Sequence, residues 1–243
     1  MLDTGWFSFG GISSASLTNK LIVSKAPSLA RSQRKIDVFS VPGRDGDIIM
    51  QQDAWENQTQ TYECYVGNGD APAAASELAS WLFSLDGYQE LKDSWETDVY
   101  RLAYLSEPLD IESIMSQVGR VDVTFSCVPR RYLNSGKTPV TITQSTNLSN
   151  PTAFTAKPLL LVSNAGGIIN GTVACGGNTL SISANTSQVY VDCETQQTYS
   201  TNGTTWYNDA VTGKYPVIPK GAQRFAISGG ISSVVVTPRW FKR

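Results

Sequence analysis

The sequence contains no histidine among its 243 residues. This absence removes the Ser-His-Asp and Cys-His pairings that activate nucleophiles, and also the side chain most often used for proton transfer near pH 7. Most hydrolase mechanisms are therefore excluded.

Cysteine is scarce, with four residues that lie far apart and form no Cys-x-x-Cys pair. Without histidine to complete a ligand set they predict no zinc site, and we expect no metal and no cofactor. The cysteines lie in segments that alternate apolar and polar residues, such as Val121–Cys127 and Val189–Cys193, which favours buried thiols. A Cys175–Cys193 disulfide is the alternative.

An excess of charge of one sign is also lacking, since 19 Lys and Arg oppose 21 Asp and Glu and the net charge is −2. No Lys/Arg run marks a phosphate-binding face, so specific nucleic-acid binding is not expected. No apolar run reaches the roughly 18 residues that predict a membrane-spanning helix. The N-terminus lacks a basic region followed by a long apolar segment. We expect a soluble chain, made without a secretion signal and with no membrane partner.

What the sequence does contain is a repeated period of two. Strands rich in aromatic and β-branched residues are predicted at Trp6–Gly11, Thr59–Val66 and Val121–Val128. After residue 133 the composition becomes polar and rich in Ser, Thr and Asn. We therefore predict two domains, residues 1–133 and 134–243. In the second, short strands separated by Asn170-Gly171, Gly176-Gly177 and Asn202-Gly203 predict a β-sandwich or jelly roll.

One helix interrupts the strands of the first domain. Asp70 is its predicted N-cap, Pro72 lies in its first turn, and Gly87 is its predicted stop. Its apolar face, which should cover one sheet, consists of Leu78, Trp81, Leu82 and Leu85 at i, i+3, i+4 and i+7. The span from Glu107 to Gln117 is compatible with either helix or strand.

The stretch Val41-Pro42-Gly43-Arg44-Asp45-Gly46 contains two turn motifs with the guanidinium of Arg44 between them. Pro42 presets φ at the first central position of a turn and Gly43 supplies the positive φ of a type II turn, while Asp45-Gly46 is typical of a hairpin. Arg44 is suited to clamp nearby carbonyls or a carboxylate, or to contact a neighbouring subunit. On the six residues alone, an ordinary solvent-facing hairpin tip is the simpler interpretation.

Two residue pairs are candidates for carbohydrate chemistry. Trp206 and Tyr207, close to a predicted turn, could stack on a sugar face, although packing is the more usual role of such a pair. Asp192 and Glu194 lie on one strand face and supply the two carboxylates that a glycosidase needs. A chain with 21 acidic residues produces such a pair by chance.

Several motifs together resemble the distal tail protein family of long-tailed, non-contractile phages, and the resemblance runs nearly from end to end. The most specific motif is Val41–Gly46. The others are Phe7-x-Phe9-Gly10, Val123–Pro129 with Tyr132, Val191–Glu194, Tyr215-Pro216 with Gly221, and Val234–Trp240. Lys220-Gly221-Ala222 departs from the family, whose members tend to carry Gly-Asn, and this difference concerns one local turn.

The resemblance implies a mainly β fold, with an N-terminal β-sandwich that carries a covering helix and a protruding hairpin, followed by a galectin-like or jelly-roll β-sandwich. It implies a structural virion protein at the distal end of the tail, which is not an enzyme. The protein would be assembled in the host bacterial cytoplasm as a homo-hexameric ring, single or in stacked pairs. The ring would join the tail tube to the tip protein and dock receptor-binding proteins. Tape-measure protein and genome DNA would pass through its channel, the DNA without specific binding.

Two other functions stay open. A carbohydrate-binding module that aids attachment to the host surface would account for the second sandwich and for Trp206-Tyr207, but it leaves the turns and helix of the first domain without a purpose. A glycosidase using Asp192 and Glu194 is the weaker alternative. Glycan binding by a stable monomer would favour the module, and turnover of a sugar would favour the glycosidase.

Overall fold

The computed structural model describes residues 5–18, 21–28, 31–67, 71–109, 111–115 and 118–243. The chain divides into two compact units, Met1–Arg131 with Arg243, and Tyr132–Lys242. The predicted domain boundary, after residue 133, lies close to this division. The predicted fold class is confirmed, since the chain is mainly β with one covering helix in the described ranges, a separate hairpin and a second sandwich.

The first unit is built on one large sheet and one separate hairpin. Its strands are β1 (Phe7–Phe9), β2 (Ile12–Ser13), β3 (Leu21–Val23), β4 (Arg34–Phe39), β5 (Ile48–Trp55), β6 (Gln58–Gly67), β7 (Gln89–Asp93), β8 (Val99–Leu105), β9 (Ile111–Met115) and β10 (Val118–Leu133). The large sheet has the order β2-β1-β7-β8-β10-β6-β3, and β9 also pairs with β10. The segment left open between helix and strand therefore contains a strand.

An aromatic cluster forms the core of the first unit. Phe7 stacks on Tyr62 at 4.7 Å and on Trp81 at 5.6 Å between ring centroids, and Phe9 lies 4.8 Å from Phe125. The Trp81 indole N–H donates to the carbonyl of Phe9 at 3.1 Å, so the buried indole also has its polar group satisfied. The alternating apolar positions that predicted strands are the positions that supply these rings.

The predicted helix is α1 (Ala71–Phe83), and its apolar face is confirmed. Leu78, Trp81 and Leu82 are buried, and Leu85 packs on the same core from beyond the helix end. The helix ends before the predicted stop, and beyond its end the Ser84 hydroxyl donates to the carbonyl of Trp81 at 2.9 Å, which satisfies a terminal acceptor. Gly87 has a positive φ of 68° in the turn that follows. The predicted N-cap, Asp70, lies outside the described residues.

A buried set of charges lies beside the aromatic core. Asp93 and Arg101 are 2% and 3% exposed, and Asp93 accepts hydrogen bonds from the Tyr62 hydroxyl at 2.9 Å and from Arg101 at 3.4 Å. Arg101 and Arg131 each donate to one oxygen of Glu96. Burial, together with the negative charge of Asp93, raises the pKa of Tyr62 well above its usual value, so the phenol stays protonated and donates.

The second unit is a sandwich of two five-stranded sheets. Its ten strands are β11 (Val140–Ile142), β12 (Thr146–Asn150), β13 (Leu159–Ser163), β14 (Ile169–Cys175), β15 (Asn178–Ala184), β16 (Gln188–Asp192), β17 (Gln197–Tyr199), β18 (Val211–Gly213), β19 (Gly221–Gly229) and β20 (Ser233–Thr237). A further short strand, β21 (Phe241–Lys242), belongs to neither sheet of the sandwich. The sheets, β11-β20-β13-β16-β17 and β12-β19-β14-β15-β18, share one apolar core. Short 3-10 helices, one in the first unit and two in the second, occupy Ser14–Ser16, Asn134–Lys137 and Asn208–Ala210.

The predicted turns of the second unit have different outcomes. Gly176 and Gly177 form a two-residue turn between β14 and β15, with φ of 61° and 78°, as predicted. The Asn170-Gly171 prediction was wrong, because both residues lie inside β14. A Cβ at Gly171 would lie 2.2 Å from the carbonyl oxygen of Ser228 on β19, so this glycine permits a close approach of two strands instead of a turn.

The four cysteines are free, buried thiols, and the alternative Cys175–Cys193 disulfide is absent. Burial raises the pKa of Cys64, Cys127 and Cys193 to about 12. Burial also raises the pKa of Cys175 to about 11. Since the thiolate is the reactive form, these side chains should be chemically inert in the folded protein.

Thiol titration checks this directly. At pH 8 a disulfide reagent should find almost no reactive thiol in the native chain, and four after unfolding without reductant. A rapidly reacting thiol in the native protein, or fewer than four after unfolding, would contradict the buried-thiol assignment.

Candidate functional site

The stretch Val41–Gly46 lies at the tip of the hairpin formed by β4 and β5. Within the described residues these two strands pair only with one another. Their antiparallel register runs from Phe39 opposite Ile48 to Arg34 opposite Trp55. The site that the sequence singled out is therefore carried by a two-stranded ribbon outside the large sheet.

The tip has the turn geometry predicted from its residues. The Arg44 N–H donates to the carbonyl of Val41 at 3.1 Å, which closes a four-residue turn with Pro42 and Gly43 at its centre. Gly43 has a φ of 82°, the value that a type II turn needs at its second central position. Gly46 also has a positive φ, 80°, in the second bend. A Cβ at either position would be strained by the backbone alone.

Arg44 itself is exposed, and its guanidinium has no hydrogen bond or ion pair within the part of the chain that the structure describes. It does not clamp nearby carbonyls or a carboxylate, which was one of the predicted roles. Contact with a neighbouring subunit and simple solvation are the roles left to it, and the first stays a prediction.

The hairpin strands expose large apolar side chains on both faces. Because side chains alternate between the two faces of a strand, the exposure of consecutive residues means that neither face is covered. Val38 and Phe39 on β4 are 52% and 50% exposed, and Ile49 and Met50 on β5 are each 59% exposed. Ile36, Val41 and Ile48 are exposed as well.

A bulge separates the tip of the hairpin from its base. Ile36 pairs with Gln51 and Arg34 with Trp55, so β5 has extra residues between these pairs, and Asp53 has a positive φ of 51° there. Bulges of this kind bend a ribbon and increase its twist. The bulge therefore sets the direction in which the apolar tip points.

The hairpin base is connected to the buried charges of the first unit. The guanidinium groups of Arg34 and Arg243 lie 5.0 Å and 4.3 Å from the ring centroid of Trp55. Arg131 donates to the backbone carbonyl oxygen of Arg243 at 3.1 Å and also to Glu96. The base of the ribbon is thus held by cation–π contacts and charged hydrogen bonds.

The structure separates the predicted pair Trp206 and Tyr207. Trp206 is 57% exposed and lies 5.7 Å from Tyr199, edge to face. Tyr207 is half-buried and packs against the core of the second unit. The two rings do not form one surface, and glycan contact by these residues stays a prediction.

Asp192 and Glu194 have different partners. Arg239 donates to both oxygens of Asp192, at 2.8 Å and 3.0 Å, whereas Glu194 lies 3.7 Å from Lys157. Burial pushes the pKa of Asp192 up, but the hydrogen bonds from Arg239 and from two backbone N–H groups lower it below its usual value. A general acid in a glycosidase needs a raised pKa, so this carboxylate is poorly suited to that role.

Within the described ranges, no group of three or more His, Cys, Asp or Glu side chains lies close enough together to hold a metal ion. No helix in those ranges is long and apolar enough to cross a membrane.

No protein-family model matches the sequence, and no curated protein matches it. The chain is similar in fold to a phage adsorption-hub protein. The crystal structure of Dit from SPP1, described as a paradigm of the hub adsorption apparatus in phages that infect Gram-positive bacteria, matches with a TM-score of 0.70. The match covers 96% of this chain and 98% of that chain at 14% sequence identity, so the likeness is one of fold.

Sequence reasoning found the tip of the hairpin but missed its uncovered strands. A usable signal was present, because Val38-Phe39 and Ile48-Ile49-Met50 are consecutive apolar residues on both sides of the turn motif. Such runs are typical of strands covered on both faces. In this chain the described residues do not supply that cover.

The Asp192–Arg239 pair yields a pH-dependent prediction. Arg239→Ala should lower the free energy of unfolding of the second unit by about 2 kcal/mol at pH 7, because it removes hydrogen bonds to a buried charge. The folded pKa of Asp192 lies below that of an unfolded aspartate, about 3.9. The stabilisation is therefore complete above that pH and is lost as pH falls through the lower, folded value.

Denaturant unfolding of the wild type and Arg239→Ala, followed by near-UV circular dichroism between pH 7 and pH 2, measures this difference. Arg224→Ala, at an exposed position of the same unit, is the control and should behave as the wild type. A difference that stays constant down to pH 2 would mean that Arg239 stabilises by packing alone.

Proposed function

We propose that the chain is a structural protein of a phage virion that forms a hexameric ring at the distal end of a long, non-contractile tail. The ring joins the tail tube to the tip protein and is the hub on which receptor-binding proteins dock. Two observations support this: the fold likeness to the SPP1 hub protein, which covers both units, and the uncovered apolar hairpin of the first unit.

The exposed hairpin is the main structural support for the proposed assembly. A two-stranded ribbon is at best marginally stable in water on its own, and a contiguous exposed apolar patch on a soluble chain marks an interaction surface. Residues such as Phe39, Ile49 and Met50 therefore need a cover from outside the subunit. A second copy of the same chain is the simplest cover, because it is always present in equal amount.

The geometry of such a contact favours a ring. The hairpin of one copy would meet a different surface on the next copy, and a head-to-tail contact of this type closes into a ring when the rotation between copies allows it. The six-fold number comes from the resemblance to distal tail proteins. An open filament would form if the rotation did not close.

The charge of the chain suits a ring through which DNA passes. A net charge of −2 gives the channel wall no general attraction for phosphate, so genome DNA would slide through without specific binding. The tape-measure protein would use the same channel. We propose no catalytic step for any of these partners.

The assembly state of the purified chain tests the proposed ring. Size exclusion coupled to light scattering, with electron micrographs of the same fractions, should find closed six-fold rings, single or stacked back to back. A monomer at all concentrations and salt conditions, with no such ring in assembled tails, would contradict the proposal.

A variant tests whether the hairpin makes the contact. The double substitution Ile49→Ser and Met50→Ser should abolish rings and leave both units folded, because both side chains are exposed in the subunit. Ile168→Ser is the matched control, since Ile168 is 56% exposed on the second unit and lies outside the hairpin. Equal loss of rings in both variants would mean that the hairpin has no special role.

Arg44 should matter for assembly more than for folding. Arg44→Ala is expected to change the free energy of unfolding by no more than about 0.5 kcal/mol, as is typical of an exposed position. Loss of an interface arginine can cost about 2 kcal/mol or more per contact, repeated around the ring. Rings or their attachment to tails should therefore fail while the melting temperature is kept. Normal rings with a strongly lowered melting temperature would assign Arg44 to the fold of the subunit.

A further inference from the structure

A continuous row of side chains crosses the outward face of the β11-β20-β13-β16-β17 sheet. The core-facing residues of these strands, such as Leu160, Val191 and Val236, are fully buried, so their neighbours along each strand face outward. Cross-strand pairing places six outward residues side by side in the order Thr141, Val235, Leu161, Tyr190, Tyr199 and Trp206. We call these six residues the aromatic row.

One half of the aromatic row consists of three rings in contact. Tyr190 and Tyr199 have centroids 5.6 Å apart with 31° between their planes, and Tyr199 and Trp206 are 5.7 Å apart at 65°. Trp206 is more than half exposed, and both tyrosines are partly exposed. Within the described residues, the two phenol hydroxyls and the indole N–H have no hydrogen-bond partner. These polar tips are therefore available to a ligand.

Hydrogen-bonding side chains flank the aromatic row on both sides. The strand register places Ser233, Ser163 and Gln188 in line along one side. Along the other side it places Thr237, Leu159, Asp192 and Gln197. The only charges in these flanking lines belong to Asp192, and its carboxylate is neutralised by the two hydrogen bonds from Arg239. The surface is thus an apolar strip whose borders are polar apart from Leu159, and whose one border carboxylate is paired with Arg239.

We propose that the aromatic row is a binding site for a neutral, extended polysaccharide. A pyranose ring has an apolar C–H face and a rim of hydroxyl groups. The exposed parts of the Tyr190, Tyr199 and Trp206 rings offer apolar contacts to the C–H groups, and the spacing of their centroids is comparable with the length of one sugar residue. Gln188, Gln197 and the phenol hydroxyls match the hydroxyl rim, as the few placed polar groups of a binding site do.

The chemistry of the strip favours a glycan over a protein partner. A protein contact typically has an apolar core several residues wide with a surrounding polar rim. Here the apolar strip is one residue wide except on β13, where Leu159 lies beside Leu161, and the other flanking side chains are polar. The site also differs from the pair that the sequence suggested, because Tyr207 is absent from it and two tyrosines from other strands take part.

Saturation-transfer difference NMR tests the proposal with cellohexaose and hexa-N-acetylchitohexaose as neutral, extended β-1,4-linked probes, and maltohexaose as a helical control. The wild-type chain should transfer saturation to the ring C–H protons of at least one extended probe and less to maltohexaose. Trp206→Ala should weaken the binding about tenfold or more, as expected for an aromatic anchor. Tyr199→Phe keeps the ring, removes only the hydroxyl and should cause a smaller loss.

Tyr88→Ala is the matched control, because Tyr88 is 49% exposed and forms an edge-to-face pair with Tyr104 at 5.3 Å on the first unit, outside the row. It should leave sugar binding unchanged. No transfer to either extended probe, or equal binding by the wild type and by both Trp206→Ala and Tyr199→Phe, would overturn the proposal. Absence of sugar binding together with failure of Trp206→Ala to enter tails would assign the row to a protein contact instead. Ring formation is not needed for the measurement, so its outcome is separate from that of the proposed assembly.

Discussion

Two arginines converge on the carboxylate of Glu96, and this meeting point connects the core of the first unit with the base of its hairpin. Arg101 links Glu96 to the buried Asp93 beside the aromatic core. Arg131 links the same carboxylate to the arginine stacked on Trp55. Removing one member of such a set leaves an uncompensated buried charge, which costs far more than the set contributes as a whole. The hairpin base is therefore held by charges inside the subunit.

The two units place their uncovered surfaces differently. In the first, a ribbon exposes large apolar side chains on both faces. Burying them against another apolar surface is more favourable than leaving them in water. In the second, a single row of aromatic and aliphatic side chains lies between polar borders, which suits an amphipathic ligand. We propose that a copy of the chain covers the first surface and that the second contacts a ligand outside the assembly.

Local sequence patterns predicted several strands, the helix face and the turn at the hairpin tip. The features that they did not predict depend on pairing between distant strands. The alternation in Val121–Cys127, the helix face around Trp81 and the positive φ of Gly43 follow from neighbouring residues, so the sequence was sufficient. The turn predicted at Asn170-Gly171 was wrong, because Gly171 is required by the close packing of β14 against β19 and not by a local turn. The aromatic row was not predictable, because Leu161, Tyr190 and Trp206 meet only through strand register. The exposure of the hairpin was not predictable either, because the sequence of one chain does not show which surface would cover it.

The most direct test of the central claim is hydrogen–deuterium exchange of the hairpin in two states of the protein. We expect the backbone amides of residues 34–55 to exchange fast in the dissociated subunit and to be strongly protected in the assembled ring. Amides of the second unit's core should be equally protected in both states and serve as the internal reference. Equally fast exchange of the hairpin in the ring and in the free subunit would contradict the claim that a second copy covers it.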